Sequence, residues 1–188
     1  MERYFRMKVL TIPALLLGLA AVLLSACASA PIVKDMIPST GADRFVSTGK
    51  TIKVAGVDGG EKTNAIRSMI ENEGFQEALV ETLRNSGIFS EVFTDRECDY
   101  MIAAEIISQK LMEGFTTYLI LYVEYRLNET ASNKEIWKEN ILSQYDAHIN
   151  SIADTAIKRA RLANEGAVRG NLSQLLKKLS AILAKNSP

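Results

Sequence analysis

Between Thr117 and Glu129 every second residue is apolar, with Leu119, Leu121, Val123, Tyr125 and Leu127 facing one way. The positions between them, Tyr118, Ile120 and Tyr122, are apolar as well and face the other way. Strict alternation with a high content of β-branched and aromatic residues predicts a strand. Tyr100 to Gln109 repeats the pattern, Ile102, Ala104 and Ile106 being opposed by Met101, Ala103 and Ile107. Gly114 supplies the turn between the two, and the polar run 128–134 (NETASNK) turns the chain into a third strand over Glu135 to Tyr145. An antiparallel meander follows, in which Trp137 fits either face.

Upstream, Thr51 to Val57 alternates, with Ile52 and Val54 on one side, until Asp58-Gly59-Gly60 breaks it. The period then becomes helical. Phe75, Ala78, Leu79, Thr82 and Leu83 make one stripe over Asn72 to Ser86, and Gly87 stands where a left-handed terminator belongs. Glu91 to Thr94 reads as a short strand. Ile152 to Ala184 carries a long helical stripe, interrupted by Asn171, with Gly166 and Gly170 as points where it bends. The order β-α-β-β-β-β-α predicts an α+β fold: a two-layer sandwich, mostly antiparallel, with two helices on one face.

Such a sheet should be polar on its uncovered face, and this one is not. Either the tether and loops cover the second face, or Tyr118, Ile120, Tyr122, Met101 and Ile107 form a docking surface for a protein or lipid.

The first 26 residues differ in kind. Arg3, Arg6 and Lys8 precede Val9 to Leu24, sixteen residues without charge and interrupted by Pro13 and Gly18. A positive start and an apolar run of that length describe a secretory signal rather than a spanning helix. The run ends in Leu24-Ser25-Ala26-Cys27, which resembles the lipobox of bacterial lipoproteins. That resemblance implies cleavage between Ala26 and Cys27 and acylation of Cys27 with three chains, more than the two signals that stable anchoring requires. Ala28, where an aspartate would imply inner-membrane retention, implies the outer membrane. The chain accordingly divides into a signal at 1–26, a lipidated cysteine and flexible tether at 27–50 (with Arg44 to Ser47 as an added edge strand), and a periplasmic domain at 51–188.

A second resemblance covers Phe75 to Phe89. Its pattern F-x-x-A-L-x-x-x-L-x-x-S-G-x-F is similar to a helix end in envelope proteins, among them the amino-terminal domain of the Tol translocation protein and small lipoproteins of the ABC-transport auxiliary type. Built from core and cap positions, it speaks to fold rather than function.

Composition narrows the chemistry. The 188 residues hold 22 basic and 22 acidic side chains, and loss of the signal leaves the remainder slightly acidic. Without a basic excess, general nucleic-acid binding is not expected. One histidine and two cysteines exclude most His/Cys metal sites, and Cys98, the thiol left after Cys27 is lipidated, has no partner for an intrachain disulfide.

Gly56 to Thr63 nearly spells a phosphate-binding loop, but Glu61 stands where the second glycine belongs, so nucleotide binding is not expected. His148 with Asp146 and Ser143 or Ser151 makes no triad by proximity alone. Glu71/Glu73 and Glu135/Glu139 read as solvated faces, and Gly166-x-x-x-Gly170 as a place where the helix nears the sheet.

The expectation is a non-catalytic, lipid-anchored periplasmic binding or accessory subunit of an envelope assembly or transport system. It has no catalytic residues, cofactor or metal, and its partners are the membrane, through Cys27, and an envelope protein. The alternatives are a protein holding an acyl chain and, third, an envelope hydrolase.

Overall fold

The computed structural model describes residues 30–39, 45–64, 67–114, 116–148 and 155–186. The signal, Ala26, Cys27 and Ala28 lie outside the described residues, as do Arg44, Ser151 and the expected first turn of the last helix at 152–154. The described elements are α1 (Val33–Met36), β1 (Thr51–Asp58), α2 (Asn72–Ser86), β2 (Glu91–Phe93), β3 (Tyr100–Met112), β4 (Thr117–Glu129), β5 (Lys134–Ala147) and α3 (Ala156–Asn186).

One open sheet runs β2-β1-β3-β4-β5. β3, β4 and β5 form the expected antiparallel meander, whereas β1 pairs in parallel with both β2 and β3. The sheet is therefore mixed, its long pairs antiparallel and its short ones parallel. β1, α2 and β2 make a βαβ unit, in which the crossover helix covers the sheet. Gly87 closes α2 with φ 69°, as its position predicts. The Ser86 hydroxyl, bonded to Leu83 O, accepts from Ile88 N–H and folds the chain back toward β2.

Both long helices pack on one face. The inward side chains Leu119, Leu121, Val123, Tyr125 and Leu127 of β4 are all 0% exposed, and meet Phe75, Leu79 and Leu83 of α2 and Ala163, Ala167, Leu172, Leu175 and Leu179 of α3 in one cluster. At Gly166, α3 comes so near β5 that a Cβ there would overlap the Tyr145 ring. Asn171, the break in the apolar stripe, is fully satisfied inside this interface. Its Oδ1 accepts from Tyr125 Oη at 2.7 Å and its Nδ2 donates to Ile141 O at 2.9 Å, while Ser143 Oγ, also buried, donates to Ala167 O. A buried amide with every atom bonded fixes the helix register on the sheet.

Within the segment read as a flexible tether, residues 32–38 pack on the fold instead. Met36 is 1% exposed, and Ile32 N–H donates to Glu165 Oε1 at 2.9 Å. Arg169 donates to Asp35 O, and Thr48 N–H to Ile88 O. Residues 32–38 thus form a strap across the helix layer, and residues 45–48 include no strand. The physical reason is the apolar spacing of Ile32, Val33, Met36 and Ile37, which is too short for periodicity to register but long enough to bury a methionine.

Candidate functional site

The outer face of the sheet is where the second set of apolar residues lies. Alternation carries Tyr118, Ile120 and Tyr122 outward on β4, all half-buried. β3 has an irregularity between Ile106 and Ser108 that shifts its phase, leaving Ile107 outward and turning Gln109 and Leu111 inward. On β5 the outward positions are Lys138, Asn140, Leu142, Gln144 and Asp146, and Leu142 is 58% exposed. Cross-strand register gathers these into rows: Ser108, Tyr122 and Leu142; then Lys110, Ile120 and Gln144; then Met112, Tyr118 and Asp146. With Ile107 at 47% and Met112 at 39% exposure, the half of this face nearest the β3–β4 hairpin is an apolar patch.

Among the described residues no element covers it. Residues 32–38 of the tether, one of the two expected covers, lie on the opposite, helical layer. Sequence pattern alone does not single out Leu142 or Met112, although Leu142 is the apolar residue in an otherwise polar outward row. Met101 faces the same side but pairs with Asn128, well away from the patch. Trp137 belongs to the helix side, half-buried against the core, with Nε1 bonded to Glu139.

The other half of the outer face is ionic. Arg126 Nε donates to Glu124 at 2.7 Å, Lys138 Nζ lies 3.1 Å from Glu124, and Glu105 lies 3.5 Å from Arg126. The Arg126 guanidinium, helped by Lys138, holds the Glu124 carboxyl below its usual range. One face therefore presents an apolar half and a charge-paired half, separated along the strands.

The remaining chemical candidates come apart in space. Ser143 Oγ points at the helix layer, His148 is exposed beyond the end of β5, and Asp146 accepts from Gln144. Glu139 is paired with Lys178, which lowers its pKa, and Glu71 accepts from Thr63 N–H. The glycine-rich stretch after β1 does not open a helix. Gly59, at φ 79°, lies against Ile106 O, where a Cβ could not fit, and Gly60 N–H donates to Asn72 Oδ1 at 2.7 Å. The described chain around it is laced to β3 by Gln109, whose amide bonds both Ile70 N–H and Ile70 O.

A cleft of 630 Å³ at the start of β1 and β3 is lined by Lys50, Glu97, Cys98, Asp99 and Glu129 among others. Its Asp99 is committed to Thr51 N–H and Oγ1, which hold the carboxyl below its usual range. No group of three His, Cys, Asp or Glu arranged for a metal occurs among the described residues. No helix among them is long and apolar enough to cross a membrane. The space between the layers, where an acyl chain would lie, is filled by Phe75, Leu79, Leu121, Leu172 and Leu179, none with measurable exposure.

No protein-family model and no curated protein matches the chain. Solved structures do. Protein XCC0632 from Xanthomonas campestris, described as belonging to the family DUF330, superposes with a TM-score of 0.62 at 13% identity, over 84% of this chain and 97% of that one. CT253 from Chlamydia trachomatis gives a TM-score of 0.56 at 13% identity, over 73% and 99%. A minor lipoprotein from Acinetobacter baumannii, at a TM-score of 0.47 and 9% identity over 72% and 94%, is too loose a likeness to carry an argument. At such identities the first two show the fold: a mixed α+β sandwich already seen in bacterial proteins.

Proposed function

We propose that the chain is a lipid-anchored, non-catalytic accessory subunit of the bacterial envelope, held at the periplasmic side of the outer membrane through Cys27. In this reading it docks a protein partner on the outer face of its sheet. The observation that carries the proposal is the uncovered apolar half of that face around Tyr118, Ile120, Tyr122 and Leu142. A solvated sheet face has no folding reason to be apolar. The Leu24-Ser25-Ala26-Cys27 sequence supports the anchor. Fixing the domain at a membrane raises its effective concentration beside other membrane components, so a modest interface suffices.

Affinity capture from envelope extracts, comparing the parent protein with a Tyr118→Glu/Tyr122→Glu variant, tests the docking face. Loss of a specific companion in the variant, with unchanged thermal stability, is expected; identical companions would refute it. Replacing Cys27 by Ser tests the anchor separately: the variant should accumulate as an unprocessed precursor without lipid.

A further inference from the structure

The strap sets how the domain stands on its membrane. Ile32 is pinned at Glu165 and Asp35 at Arg169, so the strap runs alongside α3 in the helix's own direction. From Asp35 back to Ile32 it runs toward the Ala156 end of α3. That end of α3 lies at the hairpin end of the sheet: Arg159 Nε reaches Thr117 Oγ1 at 3.4 Å, and Thr117 pairs with Ala147 at the end of β5.

Residues 27 to 31, between the cysteine and the pinned Ile32, span at most about 18 Å fully extended. Glu165 is nine residues from Ala156, about 14 Å along the helix, and twenty-one from Asn186, about 32 Å. The leash therefore reaches the hairpin end of the domain and falls short of the opposite end.

We infer that the domain stands on its β3–β4 hairpin end, with Met112 at its tip meeting the lipid headgroups of the membrane that holds the anchor. The inference rests on lipidation of Cys27. Charge alone does not decide the matter, since Lys110, Lys158 and Arg159 at this end stand with Glu113 and Asp146. Leash length sets the orientation, together with Met112, exposed at the end within reach. The alternative of lying on the helix layer sets Glu73 and Glu77 of α2, both exposed, against lipid phosphates. With the hairpin down, the apolar half of the outer face stands closest to the bilayer and the ionic half farthest away. A partner on that face must approach along the membrane surface.

The test uses the full chain, made with its signal and carrying Cys98→Ser so that an added cysteine takes a single fluorophore. Labels are placed in separate preparations at Glu113→Cys (hairpin end), Ser132→Cys (opposite end) and Glu77→Cys (helix layer). Each protein is reconstituted in phosphatidylethanolamine/phosphatidylglycerol vesicles containing a headgroup nitroxide quencher. Flotation with the vesicles, most of the signal lost at 113 and most of it kept at 132 and 77, is expected. Flotation with equal quenching at all three, or strongest quenching at 132 or 77, overturns the orientation and leaves the anchor standing. Failure to float overturns both. A fourth preparation, with about twelve Gly/Ser residues inserted after Ala30, should still float but lose the contrast between 113 and 132; a contrast that survives would overturn the leash as its cause.

Discussion

The two faces of β4 are built from the same kinds of residue and have opposite fates. Leu119, Leu121, Val123, Tyr125 and Leu127 are wholly enclosed under two helices, while Tyr118, Ile120 and Tyr122, one residue out of phase, remain half-open to solvent. Alternation decides which face a side chain joins, and the placement of other elements decides whether that face is covered. Apolar character alone therefore does not locate a core. A second apolar face becomes informative when the segments able to cover it are found elsewhere, as the strap is here.

Truncating neighbours on opposite faces should separate the two fates most strongly. Leu121→Ala should cost about 2–5 kcal/mol by leaving a cavity in the layer interface. Ile120→Ala should cost about 1 kcal/mol or less. Urea denaturation gives both values, and a cost at Ile120 equal to that at Leu121 would mean that the outer face is covered after all.

Next in size is the buried amide. Asn171→Ala strands Tyr125 Oη and Ile141 O and should cost about 1–3 kcal/mol. Adding Tyr125→Phe to it should cost little more, because the two side chains share one hydrogen bond. Additive losses in a double-mutant cycle would contradict the network.

The two glycines of α3 should separate. Gly166→Ala drives a methyl group into the Tyr145 ring and should lose about 1–3 kcal/mol, relieved when Tyr145 is also replaced by Ala. At Gly170 a Cβ would sit 3.9 Å from that of Ser143, ordinary contact. Alanine there should therefore gain up to about 1 kcal/mol in helix propensity. Thermal melts that rank the two alike would remove the close approach at Gly166.

The smallest effect concerns the strap. Glu165, 2% exposed, has its pKa raised, chiefly by desolvation, against the Ile32 N–H and Arg161, which lower it. A carboxyl whose folded pKa is raised above the usual 4.5 contributes stability that is complete below that value and is lost as pH rises through the folded pKa. Asp99, Glu124 and Glu139, all lowered, act oppositely: their contribution is lost as pH falls below the ordinary carboxylate range. Glu165→Gln should therefore remove a downward slope in melting temperature just above pH 4.5 and leave the acid limb unchanged. An unaltered profile would show that Glu165 carries no desolvation penalty in the folded chain.

Much of this arrangement is legible in the sequence where the signal is local. Asn72 to Ser86 and Thr117 to Glu129 match the structure at both ends, because a helical stripe closed by Gly87 and an unbroken alternation are properties of consecutive residues. The parallel pairing of β1 with β3 joins residues about fifty apart, and no local pattern encodes it. The irregularity near Ile107 reverses the phase of β3, so Gln109 and Leu111 point inward in a way simple alternation does not anticipate. The strap is not legible in the sequence because four apolar residues make no period, and its binding to Glu165 and Arg169 arises only in the folded chain. Tyr118, Ile120, Tyr122 and Ile107 share one patch through alternation, whereas the company of Leu142 depends on the β4–β5 register.

Under the proposed function, a partner occupies the apolar half of the outer face while the domain is tied to its membrane. A photo-crosslinking residue placed at Ile120, and in a second strain at Lys138 in the ionic half, reads that contact in intact cells. A discrete adduct at position 120, absent at 138 and lost when Cys27 is replaced by Ser, is the expected result. No adduct at 120, or one equally strong at 138 or independent of Cys27, would contradict it.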